Sequence, residues 1–395
     1  MLRRLVPFAA PRLSSTHHRR QAPASGAEVG WPPAHGATSL LALALILFVS
    51  ACSEGSTGPN GDRPFLEGTS DNPQIGVVTN STANAVRLFQ LGDPDEVRTI
   101  PLGAGESVTP TGLSVQGRNV IVPLGNAASV ALIDPEGLRI DRYFLFDEGN
   151  ATGSVFVDEN TLLVANLSTD VVGRFEVGQS SDQITETVEV APRPTRIVMA
   201  GDVAVVISSN LDENFAPMGP GVATFLDPFT LEVLGEVETG GANPTAAALG
   251  PDGLVYVVNT EDFVADGSVG VIDPQTGTLE DVFPGFGAGP GSIHIDEGGL
   301  AYVSGFFLGT TVWDTGVRSF VRSPEDPVCA PLEGGGCRGA FSVHTDAAGR
   351  LYQVFFGSAP DGLPPQIFIY EGSGFALTDS IPAGEGPTDL VITTF

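Results

Sequence analysis

Beyond residue 75 the chain reads as short runs in which apolar and polar positions alternate, each run closed by a turn containing glycine, proline or aspartate. Alternation with a period of two marks strands with unlike faces, and no stretch after the first fifty residues has the three-to-four spacing of an amphipathic helix. The runs recur in one order: a Pro-Thr or similar pair, an alternating strand, a turn, a β-branched strand and a further hairpin. The fifth copy is the fullest, with "TAAALG", the turn "PDG", "LVYVVN", a loop, "SVGVID", the turn "PQTG" and "TLEDVF".

The opening pair falls at Thr111, Thr152, Thr195, Thr245, Gly291, Phe341 and Thr388, at intervals of 41, 43, 50, 46, 50 and 47 residues. An all-strand repeat with a period in the forties predicts the blades of a propeller. The N-terminal piece offers three strands, "IGVVTN", "AVRLFQ" and "EVRTIP", and the C-terminus offers one, "DLVITTF". Joined, they complete a sheet and leave no exposed edge between first and last blades. The expected fold is therefore all-β: a seven-bladed β-propeller of four-stranded blades over residues 74–395, with 75–101 and 388–395 sharing one blade. Asp134, Asp227, Asp273 and Asp314 end third strands and are expected to cap hairpin turns by accepting backbone N–H bonds.

The first 51 residues have a different character. Five arginines precede the apolar run "ATSLLALALILFVSA", Ala37–Ala51, which is too short to span a bilayer and suits an export signal. The ending Val49-Ser50-Ala51-Cys52 resembles a bacterial lipobox. That resemblance implies cleavage before Cys52, acylation of its side chain, and a membrane anchor of several acyl chains, each buried CH₂ contributing about 0.8 kcal/mol. Ser53 after the cysteine resembles the pattern sorted to an outer membrane. Residues 52–73, rich in Gly, Ser and Pro, read as a flexible linker. Cys329 and Cys337, in "PVCAPLEGGGCRG", are the remaining even pair in an exported chain and read as a disulfide.

Charge narrows the partners. Removing the five arginines and Glu28 of the leader from 18 basic and 47 acidic residues leaves 13 and 46, a net charge of −33. Such a field disfavours nucleic acid and bare anionic membrane as partners. A monomer that meets an envelope protein or a small ligand is the expectation.

"GVVTN" (Gly76–Asn80) and "VYVVN" (Val255–Asn259), followed by "VGVIDPQTG", resemble the YVTN-type β-propeller repeat of bacterial and archaeal surface proteins. The resemblance spans the mature domain and implies an architecture; function has to come from the site.

Candidate chemistry is sparse. The two histidines of the mature chain, His294 in "GSIHIDEGG" and His344 in "FSVHTDAAG", occupy the same place on the innermost strands of adjacent copies. Asp296 and Asp346 follow two residues later on the same strand face. Imidazoles and carboxylates suit a divalent metal, which would activate water or polarise a carbonyl. The pattern faintly resembles propeller lyases of the streptogramin-inactivating kind, although their glutamate and Trp-Phe-Thr motif have no match here. A metal-dependent lyase or hydrolase is thus the alternative to a binding or scaffold module. The simpler reading makes the histidines packing residues and the aspartates turn residues. Two long acidic loops, 211–221 with Asp212 and Glu213 and 261–268 with Asp262 and Asp266, lack EF-hand spacing and are candidate binding loops.

Overall fold

The computed structural model describes residues 63–395 apart from 106, 334, 360 and 361. The export signal, Cys52 and the linker as far as residue 62 lie outside the described residues.

Seven four-stranded antiparallel sheets follow one another in a ring, as expected. Each is a meander running outward from the axis, and blades are numbered here from the N-terminus. The first blade is closed by the last strand of the chain. Ile75–Asn80 pairs with Pro387–Thr393, from Ile75 opposite Thr393 to Asn80 opposite Pro387. Beyond the strand pair, Ser81 N donates to Gly386 O at 2.7 Å and Asn80 Nδ2 to Ala383 O at 2.9 Å.

Position within the blade sets the composition of each strand. Second strands such as Thr161–Asn166, "TLLVAN", are buried along their whole length, because a blade stands between two neighbours and both faces of its middle strands are covered. Leu162 and Val164 pack towards the second blade, while Leu163 and Ala165 pack towards the fourth. The same division generates seven hydrophobic clusters, one at each junction between blades. At about 1.5–3 kcal/mol for each large aliphatic or aromatic side chain withdrawn from water, these junctions supply most of the cohesion. Outer strands are open to solvent, with half-buried positions set among exposed ones, as in Val233–Glu238.

The repeated threonine holds blades together at the axis. Its hydroxyl donates to a backbone carbonyl at the head of the next blade's inner strand: Thr111 to Ala151 O at 3.0 Å, Thr152 to Pro194 O at 2.9 Å, and Thr195 to Pro244 O at 3.3 Å. The recurrent asparagine ties a second strand to the connector arriving from the blade before. Asn166 Nδ2 donates to Glu148 O, and Asn259 Nδ2 to Thr239 O. Turn aspartates behave as expected. Asp227, Asp273 and Asp314 accept amides two and three residues on, and Asp134 accepts that of Gly137. These bonds favour the carboxylate and hold Asp134, Asp227 and Asp273 below the usual range.

A propeller has two faces. One carries the turns from first to second and from third to fourth strands; the other carries the loops from second to third strands and the connectors between blades. The described part of the N-terminal linker, residues 63–73, lies against the first of these faces. Leu66 is buried in the junction of the first two blades, and Gln90 Nε2 donates to Phe65 O at 2.8 Å.

Cys329 and Cys337 form the expected disulfide, with Cα atoms 5.4 Å apart. It sits in the connector from the sixth to the seventh blade, on the second face.

Candidate functional site

His294 and His344 meet, as their equivalent positions require. Their rings stack with centroids 4.0 Å apart and planes inclined by 28°. Thr345 serves both: its hydroxyl lies 2.8 Å from His294 Nε2, and its carbonyl oxygen lies 2.8 Å from His344 Nδ1, which donates to it. Burial pushes both imidazoles below their ordinary value, and His294 is lowered further by its neighbour. At His344 the Thr345 carbonyl, Asp389 and Asp346 pull the other way without overcoming burial. Burial thus favours the neutral form of both rings.

The aspartates do not join them. Asp296 accepts the Leu300 amide and the Tyr302 hydroxyl, at 2.9 and 3.1 Å. Asp346 accepts the amides of Ala348 and Arg350, the Arg350 guanidinium at 2.7 Å and the Tyr352 hydroxyl at 3.2 Å. Asp252 and Tyr256 repeat the arrangement in the fifth blade, at 2.7 Å. The carboxylates are consumed by turns, and no group of three or more His, Cys, Asp or Glu among the described residues is placed to hold a metal ion. The four residues do not fit the metal centre of a propeller lyase.

Two charged residues absent from the sequence-based expectations line the axial cavity of about 250 Å³ above the histidines. Arg196 Nη1 of the fourth blade faces Asp389 Oδ2 of the closing strand at 3.8 Å, and Ser342 Oγ donates to Asp389 Oδ1 at 3.1 Å. The repeat contains their signal. The residue after the Pro-Thr position is Gly112, Gly153, Ala246, Ser292 and Ser342 in five copies, and Arg196 and Asp389 in the other two. Aligned inner-strand positions converge on the axis, so two opposite charges among five small residues meet there.

The acidic loops are pinned by their own carboxylates. Asp212 accepts the amides of Asn214 and Ala216, Asp262 those of Val264 and Ala265, and Asp266 that of Gly287. Glu213 is exposed. All lie on the second face, with their apolar neighbours turned to solvent: Phe215 is 60% exposed and Val264 82%.

The largest departure from the repeat lies on this same face. In the fifth blade Thr245 and Thr260 pair their hydroxyls at 2.6 Å. The corresponding pairs are Gly291 with Phe306 in the sixth blade and Phe341 with Phe356 in the seventh. At Gly291 a Cβ would lie 2.4 Å from the Phe306 ring, so glycine makes room for it. Phe341 and Phe356 stack at 4.8 Å, Phe306 meets Phe341 edge-on at 4.9 Å, and Phe263 stands 5.9 Å from Phe306. Phe307 projects into solvent beside them. A band of rings thus runs from Phe263 in a loop of the fifth blade across the sixth and seventh, the two blades that lack the threonine the other five carry. "PGS", "AFS", "GFFLG" and "QVFFG" hold that signal, visible only when copies are laid against one another position by position.

Neither a known family profile nor a curated protein matches the chain. Solved structures similar to it include a chain of Kuenenia stuttgartiensis hydrazine synthase, at 14% identity and a TM-score of 0.55 over 73% of this chain and 90% of that one. The computationally designed Ika8 protein is similar at 12% identity and a TM-score of 0.54, over 79% and 85%. The WD40 β-propeller domain of Doa1 gives 14% and 0.47, over 58% and 71%. At such identities the likeness is one of fold alone.

Proposed function

We propose that this protein is a lipid-anchored, extracytoplasmic binding module of a bacterial envelope, attached through Cys52 and descended from YVTN-type repeats. Its binding surface is the second face of the fifth to seventh blades. One observation carries the reading: in the sixth and seventh blades half-buried rings, Phe306, Phe341 and Phe356, stand where the fifth blade has its threonine hydroxyls, and exposed Phe263 and Phe307 flank them. Losing the threonine hydroxyl gives up a bond between blades, and apolar surface that reaches solvent at Phe263 and Phe307 marks an interaction site. The Asn80 and Asn259 anchors support the repeat ancestry. A disulfide and an all-arginine basic complement of 13 against 46 acidic residues suit a compartment outside the cytoplasm. Catalysis by the axial histidines has less support, since Asp296 and Asp346 are bound within their turns.

Two measurements in cells of the source bacterium test this. Cys52→Ser is expected to move the protein from the membrane fraction to the soluble envelope fraction. A photo-crosslinking amino acid at position 307 is expected to trap a partner that the same group at exposed Val317, on the opposite face, does not. Equal trapping from both faces, or from neither, would overturn the binding surface.

A further inference from the structure

Ten of the 13 arginines among the described residues form ion pairs with carboxylates. Three do not: Arg87, in the third strand of the first blade; Arg193, whose guanidinium donates to the carbonyls of Leu167 and Asp212; and Arg338. In a chain this acidic, a guanidinium left without a carboxylate is unusual. Arg338 lies over two rings, 5.3 Å from the centroids of both Phe355 and Phe368. Its Nε is buried without an acceptor, and its guanidinium makes no hydrogen bond or ion pair among the described residues. It lines a cavity of about 360 Å³ together with Phe306, Phe341, Phe356 and Leu363. The cavity opens on the aromatic band, and the Cys329–Cys337 bridge, one residue away, fixes the connector that presents Arg338.

We infer that this cavity binds an aromatic carboxylate, its ring packed among Phe306, Phe341 and Phe356 and its carboxylate paired with Arg338. The inference rests on the aromatic band being a binding surface and names the chemistry it takes. Each component answers a deficit in the free protein. The guanidinium is planar, always charged and able to grip a carboxylate through two parallel N–H bonds. The phenylalanine rings offer edges and faces to a further ring at normal stacking distances. The volume suits a ligand of one ring and a short acid arm, at the small end of ligand pockets. The surrounding negative field repels anions at long range, so recognition depends on contact with Arg338 and on ring burial.

Two sources share this chemistry, a free aryl carboxylate and the C-terminal aromatic residue of a polypeptide. Calorimetric titration of the full mature chain separates them. The probes are N-acetyl-phenylalanine, its carboxamide, and a hexapeptide ending in phenylalanine with its terminus free or amidated. The carboxylate is expected to bind at one site and the carboxamide at least about tenfold more weakly, as loss of a charge-assisted pair implies. Arg338→Met is expected to erase that difference while leaving carboxamide binding unchanged. Phe341→Thr with Phe356→Thr, which restores the hydroxyl pair of the fifth blade and so preserves the fold, is expected to weaken both forms. Tighter binding by the free-terminus hexapeptide than by N-acetyl-phenylalanine assigns the site to polypeptide ends, and the reverse assigns it to small acids. Equal affinity for acid and amide, or no binding of either by folded protein, overturns the inference. Trapping from position 307 under that result would leave the binding face standing and remove only this ligand.

Discussion

Single side chains in this ring have roles that depend on which copy they occupy. A histidine on an inner strand would be solvated in isolation; two of them, brought to 4.0 Å by adjacent blades, shield one another, which favours the uncharged form. The consequence for stability has a definite sign. An imidazole whose folded pKa lies below the unfolded value of about 6.5 takes up its proton first in the unfolded chain. The stability it contributes is complete above about pH 6.5 and declines as the pH falls through that value towards the lower folded one. Denaturation midpoints are therefore expected to drop between about pH 7.5 and 5.5, above the range where carboxylates titrate. His294→Gln with His344→Gln should flatten that dependence. An unchanged slope in the variant would place the titrating groups elsewhere.

Elements show how far the amino-acid pattern reaches. Strand count, order and the turns closed by Asp227, Asp273 and Asp314 were legible because alternation, β-branching and Asx chemistry act locally, within a few residues. His294 and His344 were legible as a pair because repetition itself encodes spatial equivalence. Arg338 was not. It lies in a connector with no counterpart in other copies, and its importance comes from an absence of partners that only three dimensions reveal. Asp296 and Asp346 left two readings open, since carboxylates suit both metals and turns; theirs accept amides and tyrosine hydroxyls, as the simpler reading has it. The connector also makes its own prediction. The bridge between Cys329 and Cys337 closes a short loop and should contribute about 2–3 kcal/mol on chain-entropy grounds. Cys329→Ser with Cys337→Ser is expected to lower the urea midpoint accordingly and to weaken binding of N-acetyl-phenylalanine, since Arg338 loses its fixed mounting. A midpoint unmoved by the double substitution would show the loop to be held by its backbone bonds alone.

At the scale of the whole molecule, closure governs everything else. Seven junctions share the cohesion, and the first blade exists only when Pro387–Thr393 returns to Ile75–Asn80. Removing residues 388–395 is expected to abolish the single cooperative thermal transition, as followed by circular dichroism, rather than to shift it slightly. A transition of unaltered sharpness would mean that six blades suffice. The seat of Leu66 adds a directional property to the ring. Arg63, where the described chain begins, emerges beside the turns, whereas the phenylalanines crown the reverse side. Only ten residues, 53–62, lie between it and Cys52, so the lipid proposed there would leash the disc within about 40 Å at full stretch. Were the proposed lipid at Cys52 to moor it, the disc would be held from the side of its turns, and the phenylalanine side would be left for whatever approaches from the aqueous phase.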